Sequence, residues 1–121
     1  MSILAIDHIL LAMPAGGEAR AREFYAGVLG LTEKPKPDAL VRRGGAWFTN
    51  GSLEVHLGVD QDFRPTVKPH PAFRVHGLSD YVARARAQNC RIAHDEPLPG
   101  CERVFIFDPF GNRIELIEPT A

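Results

Sequence analysis

The chain has only two cysteines in its 121 residues, Cys90 and Cys101, and they lack the Cys-x-x-Cys spacing of a zinc knot or a redox pair. A disulfide framework is thereby excluded as the basis of the fold, and both thiols are expected to be reduced packing residues. Charge of one sign is missing too, since 14 Lys and Arg against 15 Asp and Glu leave a formal net charge of −1. There is no basic surplus to neutralise a phosphate backbone, and no Lys or Arg cluster alternates with aromatics, so nucleic acid is not expected as a partner. Long apolar runs are also absent. The opening residues, Met1-Ser2-Ile3-Leu4-Ala5-Ile6-Asp7-His8, carry no basic segment and no stretch of spanning length, so neither a signal peptide nor a membrane span is expected, and the cytoplasm is the default location. At this length one domain, residues 1–121, can bury a substantial core.

What the chain does contain is a repeat. His8 is followed after 46 residues by Glu54, and His70 after 45 residues by Glu115. Each histidine heads an apolar strand-like run, Ile6-Asp7-His8-Ile9-Leu10-Leu11 and Pro69-His70-Pro71-Ala72-Phe73-Arg74-Val75. Each glutamate lies inside another, Leu53-Glu54-Val55-His56-Leu57 and Arg113-Ile114-Glu115-Leu116-Ile117. The segments between them follow one programme. Pro14-Ala15-Gly16-Gly17 breaks the first strand, and Ala21, Phe24, Tyr25 and Val28 then fall at helical spacing over Glu18 to Leu29, with Gly30 as a stop. Ala39-Leu40-Val41, preceded by prolines at 35 and 37, is expected to be a short or edge strand. Ala46 to Thr49 is the next, and Asn50-Gly51 a hairpin turn into the strand of Glu54. The first half, about residues 3–59, therefore reads β-α-β-β-β.

After a connector over residues 60–68, the second half, about 69–118, repeats it. Strand 70–75 leads to a helix expected to be capped by Ser79 and to run to about Asn89, with Val82 and Ala85 toward the sheet. Short strands over Arg91 to His94 and Arg103 to Phe107 follow, and Pro109-Phe110-Gly111-Asn112 turns into the strand of Glu115. The fold class is α+β, two similar halves at a period of roughly 61 residues.

Strand alternation puts Leu53, Val55 and Leu57 on one side and Glu54 and His56 on the other; likewise Ile114 and Leu116 oppose Arg113, Glu115 and Ile117. If the aliphatic sides pack under the helices, the polar sides line a shared interior. Carboxylates buried there without partners would be costly, and a divalent cation held by His8, Glu54, His70 and Glu115 would compensate them. His56 shares the face of Glu54 and is an equal contender for the same position. Trp47, Phe63 and Phe105 are candidates to floor a substrate pocket, and Arg74 and Arg113 to receive an anionic substrate; plain core packing and surface ion pairing are the competing readings.

The stretches Asp7-His8-Ile9, Ala21 to Leu31, Glu54 to Val59, His70-Pro71-Ala72-Phe73 and Asp108 to Glu115 resemble the glyoxalase, bleomycin-resistance and ring-cleavage dioxygenase group, the vicinal oxygen chelate superfamily. The resemblance implies paired βαβββ modules in a U-shaped mixed sheet around a cavity with an open-sided metal site, often in a homodimer. It implies metal ligands at His8, His70 and Glu115, with His56 or Glu54 as the fourth, and a catalytic role for Glu54 and Glu115. The implied cofactor is Ni, Zn, Mn or Fe. The leading expectation is a metal-dependent isomerase or lyase acting on a small oxygen-bearing molecule. An Fe(II) dioxygenase and a metal-free antibiotic-binding or resistance protein are the alternatives.

Overall fold

A computed structural model describes residues 1–120. Its strands are β1 (Ile9–Met13), β2 (Thr32–Lys34), β3 (Ala46–Thr49), β4 (Glu54–Val59), β5 (Ala72–Arg74), β6 (Ile92–Ala93), β7 (Cys101–Phe107) and β8 (Arg113–Pro119). The helices are α1 (Glu18–Tyr25), α2 (Asp38–Val41) and α3 (Leu78–Ala87). They form two four-stranded mixed sheets, ordered β1-β4-β3-β2 and β5-β8-β7-β6. In each, the first strand of the half runs parallel to the last, and the remaining pairs are antiparallel. The chain is thus a duplicated βαβββ unit. Among the described residues no helix is long and apolar enough to cross a membrane.

Period-2 alternation explains the layering. Leu11, Met13, Phe48, Val55 and Leu57 point from the first sheet, and Val104, Ile106, Ile114 and Leu116 from the second, into one apolar cluster. From α1 and the turns after it, Ala21, Phe24, Tyr25 and Val28 close that cluster; Ala85 of α3 is fully buried and Val82 packs against it. Fully burying such side chains contributes roughly 1.5–3 kcal/mol each.

A polar network fastens the halves together. Tyr25 Oη donates to Asp108 Oδ2 at 2.7 Å. Asn112 Nδ2 donates to the same oxygen at 2.9 Å and to the Ala12 carbonyl at 2.8 Å. Asp108 Oδ1 accepts the Phe110 and Asn112 amides. Burial pushes the Asp108 carboxyl above its ordinary range, with these hydrogen bonds opposing, and pushes the Tyr25 phenol up as well.

Several elements differ from the sequence expectation. Residues 39–41 form a helical turn, α2, after Pro37; the second strand is the polar Thr32–Lys34, which pairs with β3 before the prolines end it. Residues Ala26 to Leu29 continue α1 as hydrogen-bonded turns rather than regular helix. The cap of α3 is not Ser79. Gly77, at φ 82°, occupies that position, and the Glu118 carboxylate of β8 accepts the Gly77 and Leu78 amides at 2.7 and 3.1 Å. Those two bonds hold the Glu118 carboxyl below its usual range. At the β3–β4 edge, Gly45 has φ 83° and a Cβ there would lie 2.0 Å from the Leu57 carbonyl oxygen, so only glycine fits.

Candidate functional site

On the face of the first sheet opposite its core, β3 and β4 place Trp47 directly across from His56. The two rings stack at 3.9 Å with 4° between planes. His8, immediately before β1, covers the other side of His56 at 4.1 Å. His56 is therefore held flat between two rings, and its Nε2 lies 2.9 Å from Glu54 Oε1. Lys34 Nζ reaches the same carboxylate oxygen at 3.0 Å. The hydrogen bonds from His56 first and Lys34 second hold Glu54 below the ordinary carboxylate range, so it is ionised at neutral pH. His8 turns its Nδ1 to Asp7 Oδ2 at 2.9 Å.

The second sheet carries the other half of the set. Glu115 on β8 pairs across the ladder with Phe105 on β7 and Ala72 on β5, and is 7% exposed. His70, two residues before β5, stands edge-on to Phe105 at 5.4 Å. Its Nδ1 lies 2.9 Å from the Lys68 carbonyl and its Nε2 lies 2.9 Å from Glu115 Oε1. A carbonyl oxygen only accepts, so Nδ1 carries the ring proton. With Nδ1–H so committed, Nε2 and Glu115 Oε1 are left facing each other, to share a proton along their line or to bind one cation side by side. His8 has the same anchoring, Nδ1 held by an acceptor and Nε2 left to a further partner, the arrangement in which histidines ligate metals.

The structure does not bring His8, His56, His70 and Glu115 to one point within the chain. Among the described residues no three His, Cys, Asp or Glu side chains converge as a metal would require. The donors fall into two groups, one on each sheet: His8, Glu54 and His56; His70 and Glu115. His8 and Glu54 line a hollow of about 340 Å³ at the seam toward Pro71, Ala72 and Phe73, while His70 borders a neighbouring one of about 300 Å³ with Ile9, Leu10 and Leu11. Each group has donor chemistry suited to a divalent ion, and within one chain the two stay apart as candidate half-sites.

The aromatic and basic candidates divide similarly. Trp47 and Phe105 lie in the two half-sites. Phe63 does not; it packs edge-on against Phe110 at 6.3 Å. The exposed Arg74 side chain lines a separate hollow of about 280 Å³ with Leu31, His76 and Tyr81. Arg113 lies over Phe105, its guanidinium carbon 3.7 Å from the ring centroid.

Sequence reasoning missed Lys34 and Arg103. Lys34 sits on an exposed polar strand without an apolar signal. Arg103 was accessible: it is two residues before Phe105, hence on the same face, and its Nη1 is 3.5 Å from Glu115 Oε2. A hollow of about 450 Å³ lies elsewhere, bordered by Arg20, Cys90, Arg91 and Asp108. Burial raises the Cys90 thiol there, which keeps it a packing group.

The Glyoxalase/Bleomycin resistance protein/Dioxygenase superfamily model matches residues 5–116. The structure is similar to a glyoxalase family protein from Bacillus anthracis, with 41% identity, a TM-score of 0.92, and coverage of 99% of this chain and 98% of that one. It also shares its fold with the fosfomycin resistance protein FosX from Listeria monocytogenes, determined as a glutamine variant with Mn(II) and 1S,2S-dihydroxypropylphosphonic acid. That likeness has 17% identity, a TM-score of 0.81, and coverage of 98% and 95%. FosX from Mesorhizobium loti is similar at 16% identity and a TM-score of 0.75, covering 98% and 95%. Comparison with curated proteins gave no match.

Proposed function

Because the chain belongs to the glyoxalase/bleomycin resistance protein/dioxygenase superfamily, we propose that it is a divalent-metal-dependent enzyme acting on a small oxygen-bearing molecule, with isomerase or lyase chemistry of the glyoxalase type. The observation that carries this reading is the facing pair His70 Nε2 and Glu115 Oε1, two electron-pair donors 2.9 Å apart with the far ring nitrogen already committed to Lys68. His8 is the third ligand, and it comes from a second copy of the chain. Two features support that assembly: the half-sites stay apart within one chain, and Met1, Ile3, Leu4 and Ile6 in the segment leading to His8, with Leu10 just after it, expose apolar side chains. Bound in such a site, Ni, Zn, Mn or Fe supplies Lewis-acid stabilisation of negative charge on substrate oxygen.

The chain's own groups do the rest. Lys34 and His56 keep Glu54 ionised and fixed in position, which suits it to accept a proton from substrate. Trp47 walls that side and limits water. Glu115 is steadied by Arg103 as well as by His70. The metal-free binding reading draws support from the lack of a complete donor set in one chain, and the dioxygenase reading requires Fe(II) at the two histidines and Glu115.

Metal analysis of untagged protein and of its variants separates these. His8→Ala and Glu115→Ala are each expected to lose bound metal. Dimers reassembled from an equal mixture of the two should regain it in part, since one of the two shared sites in each mixed dimer keeps every ligand. Metal far below one per chain in the parent protein, with no thermal shift on adding Ni, Zn, Mn or Fe(II), would favour the binding-protein alternative. Failure of the mixture to recover metal would instead place the site within one chain.

A further inference from the structure

The inner face of the second sheet holds two guanidinium groups whose bonding is incomplete. Arg103 and Arg113 have side chains only 14% and 20% exposed. They flank the Phe105 ring, their guanidinium carbons 5.4 and 3.7 Å from its centroid. The Nε of each is buried without a hydrogen-bond partner among the described residues. Arg103 places Nη2 on the Glu96 carbonyl at 2.7 Å and Nη1 near Glu115 at 3.5 Å. Arg113 makes no side-chain hydrogen bond among the described residues; its nearest carboxylate there, the half-exposed Asp95, is 3.9 Å away.

Burying a guanidinium Nε–H without an acceptor is costly, and packing alone gives no reason for two such groups side by side. Phe105 contributes an attractive ring face to both cations, but a ring face satisfies no N–H along its bond axis. The acceptor that is missing is an oxyanion. From this geometry we infer that Arg103 and Arg113 form a clamp for the acidic end of the substrate, a carboxylate or a phosphoryl-type group, beside Glu115. The inference deepens the proposed enzymatic reading, and it names a substrate that is a small acid carrying further oxygens near the acidic group.

The charges on this face agree. Facing the clamp are Glu115, Asp95 and the His70 ring. Once Glu115 is engaged as a ligand, two guanidiniums remain against Asp95 alone, and the surplus positive charge awaits an anion. Planar forked donors suit both oxyanion types, whereas a lysine would offer a single point of charge.

Titration calorimetry with inorganic phosphate and with acetate, on the metal-stripped protein and again with Mn(II), tests the clamp directly. Saturable binding of at least one of them is expected, weakened on the order of tenfold by Arg113→Gln and further by adding Arg103→Gln. Whichever anion binds more tightly identifies the acidic group. Arg113→Lys should recover only part of the affinity. Thermal melts of the same variants guard against misfolding, because a merely structural arginine would lower the melting temperature and leave anion affinity per folded molecule unchanged. Absence of saturable binding in the parent protein, or equal affinity in the folded double variant, would overturn the inference. Anion binding in a protein that takes up no metal would sink the enzymatic reading and leave the clamp standing.

Discussion

The two inner faces are built on the same βαβββ scaffold yet arrange their basic and aromatic groups differently. In the first half a carboxylate, Glu54, meets one lysine and one histidine, and the surrounding surface is a stack of flat rings, Trp47, His56 and His8. In the second half the equivalent carboxylate, Glu115, stands among a histidine and two arginines around one phenyl ring. Their cores, by contrast, merge into a single apolar cluster. The two modules share one water-excluding core, while their inner faces differ residue by residue. The first face presents flat rings beside one ionised carboxylate, and the second presents two guanidiniums around a phenyl ring.

The largest effect should come from breaking what the halves share. Phe48→Ala in β3 and Leu116→Ala in β8 are fully buried deletions from one cluster. Each is expected to cost about 2–5 kcal/mol, with one cooperative urea transition rather than separate melting of the halves. Two transitions would mean that the modules fold independently.

A smaller change should sharpen the contrast between the carboxylates. Replacing Lys34 by Met removes the second hydrogen bond that lowers Glu54, so its pKa should rise toward the ordinary carboxylate value. Since a proton acceptor works only when ionised, the acidic limb of the pH profile for turnover should move upward in Lys34→Met. The equivalent loss from the other half, Arg103→Met, should leave that limb in place. Steady-state rates measured from roughly pH 3 to 7, which brackets the usual carboxylate values, distinguish the two.

The smallest effect concerns the helix cap. The Glu118 pKa is depressed in the folded state, so the folded chain binds fewer protons there than the unfolded chain does; its contribution is present above the ordinary glutamate value and fades as pH falls through the depressed one. Glu118→Gln should therefore melt a few degrees below the parent at neutral pH, and the gap should close on acidification. The first module has no counterpart, because α1 starts at Gly17 without a side-chain cap. A gap that persists unchanged in acid would show that the carboxylate charge is not what supports α3.

Much of this architecture was readable from residue order. Alternation around Glu54 and Glu115 assigned their faces, and Pro109 to Asn112 announced a tight turn, because both signals are local. The unread parts depend on distant partners. Thr32–Lys34 is a strand only because β3 offers its edge, and none of its side chains is buried. Ser79 had the right chemistry for a cap, but a carboxylate 41 residues from Gly77 occupies the position. The separation of His8 from His70 was hidden for the same reason: periodicity tells which way a side chain points, never which half-sheet it will meet. Arg103 was legible by its spacing from Phe105, while its orphaned Nε required coordinates.

Trp47 is the sole tryptophan of the chain, and it lies parallel to the His56 imidazole at 3.9 Å. Its emission therefore reports on that contact, and anything that tilts the two rings apart or displaces His56 should change the signal. The protein thus carries an intrinsic optical gauge at the wall of its first half-site, readable without label or known turnover.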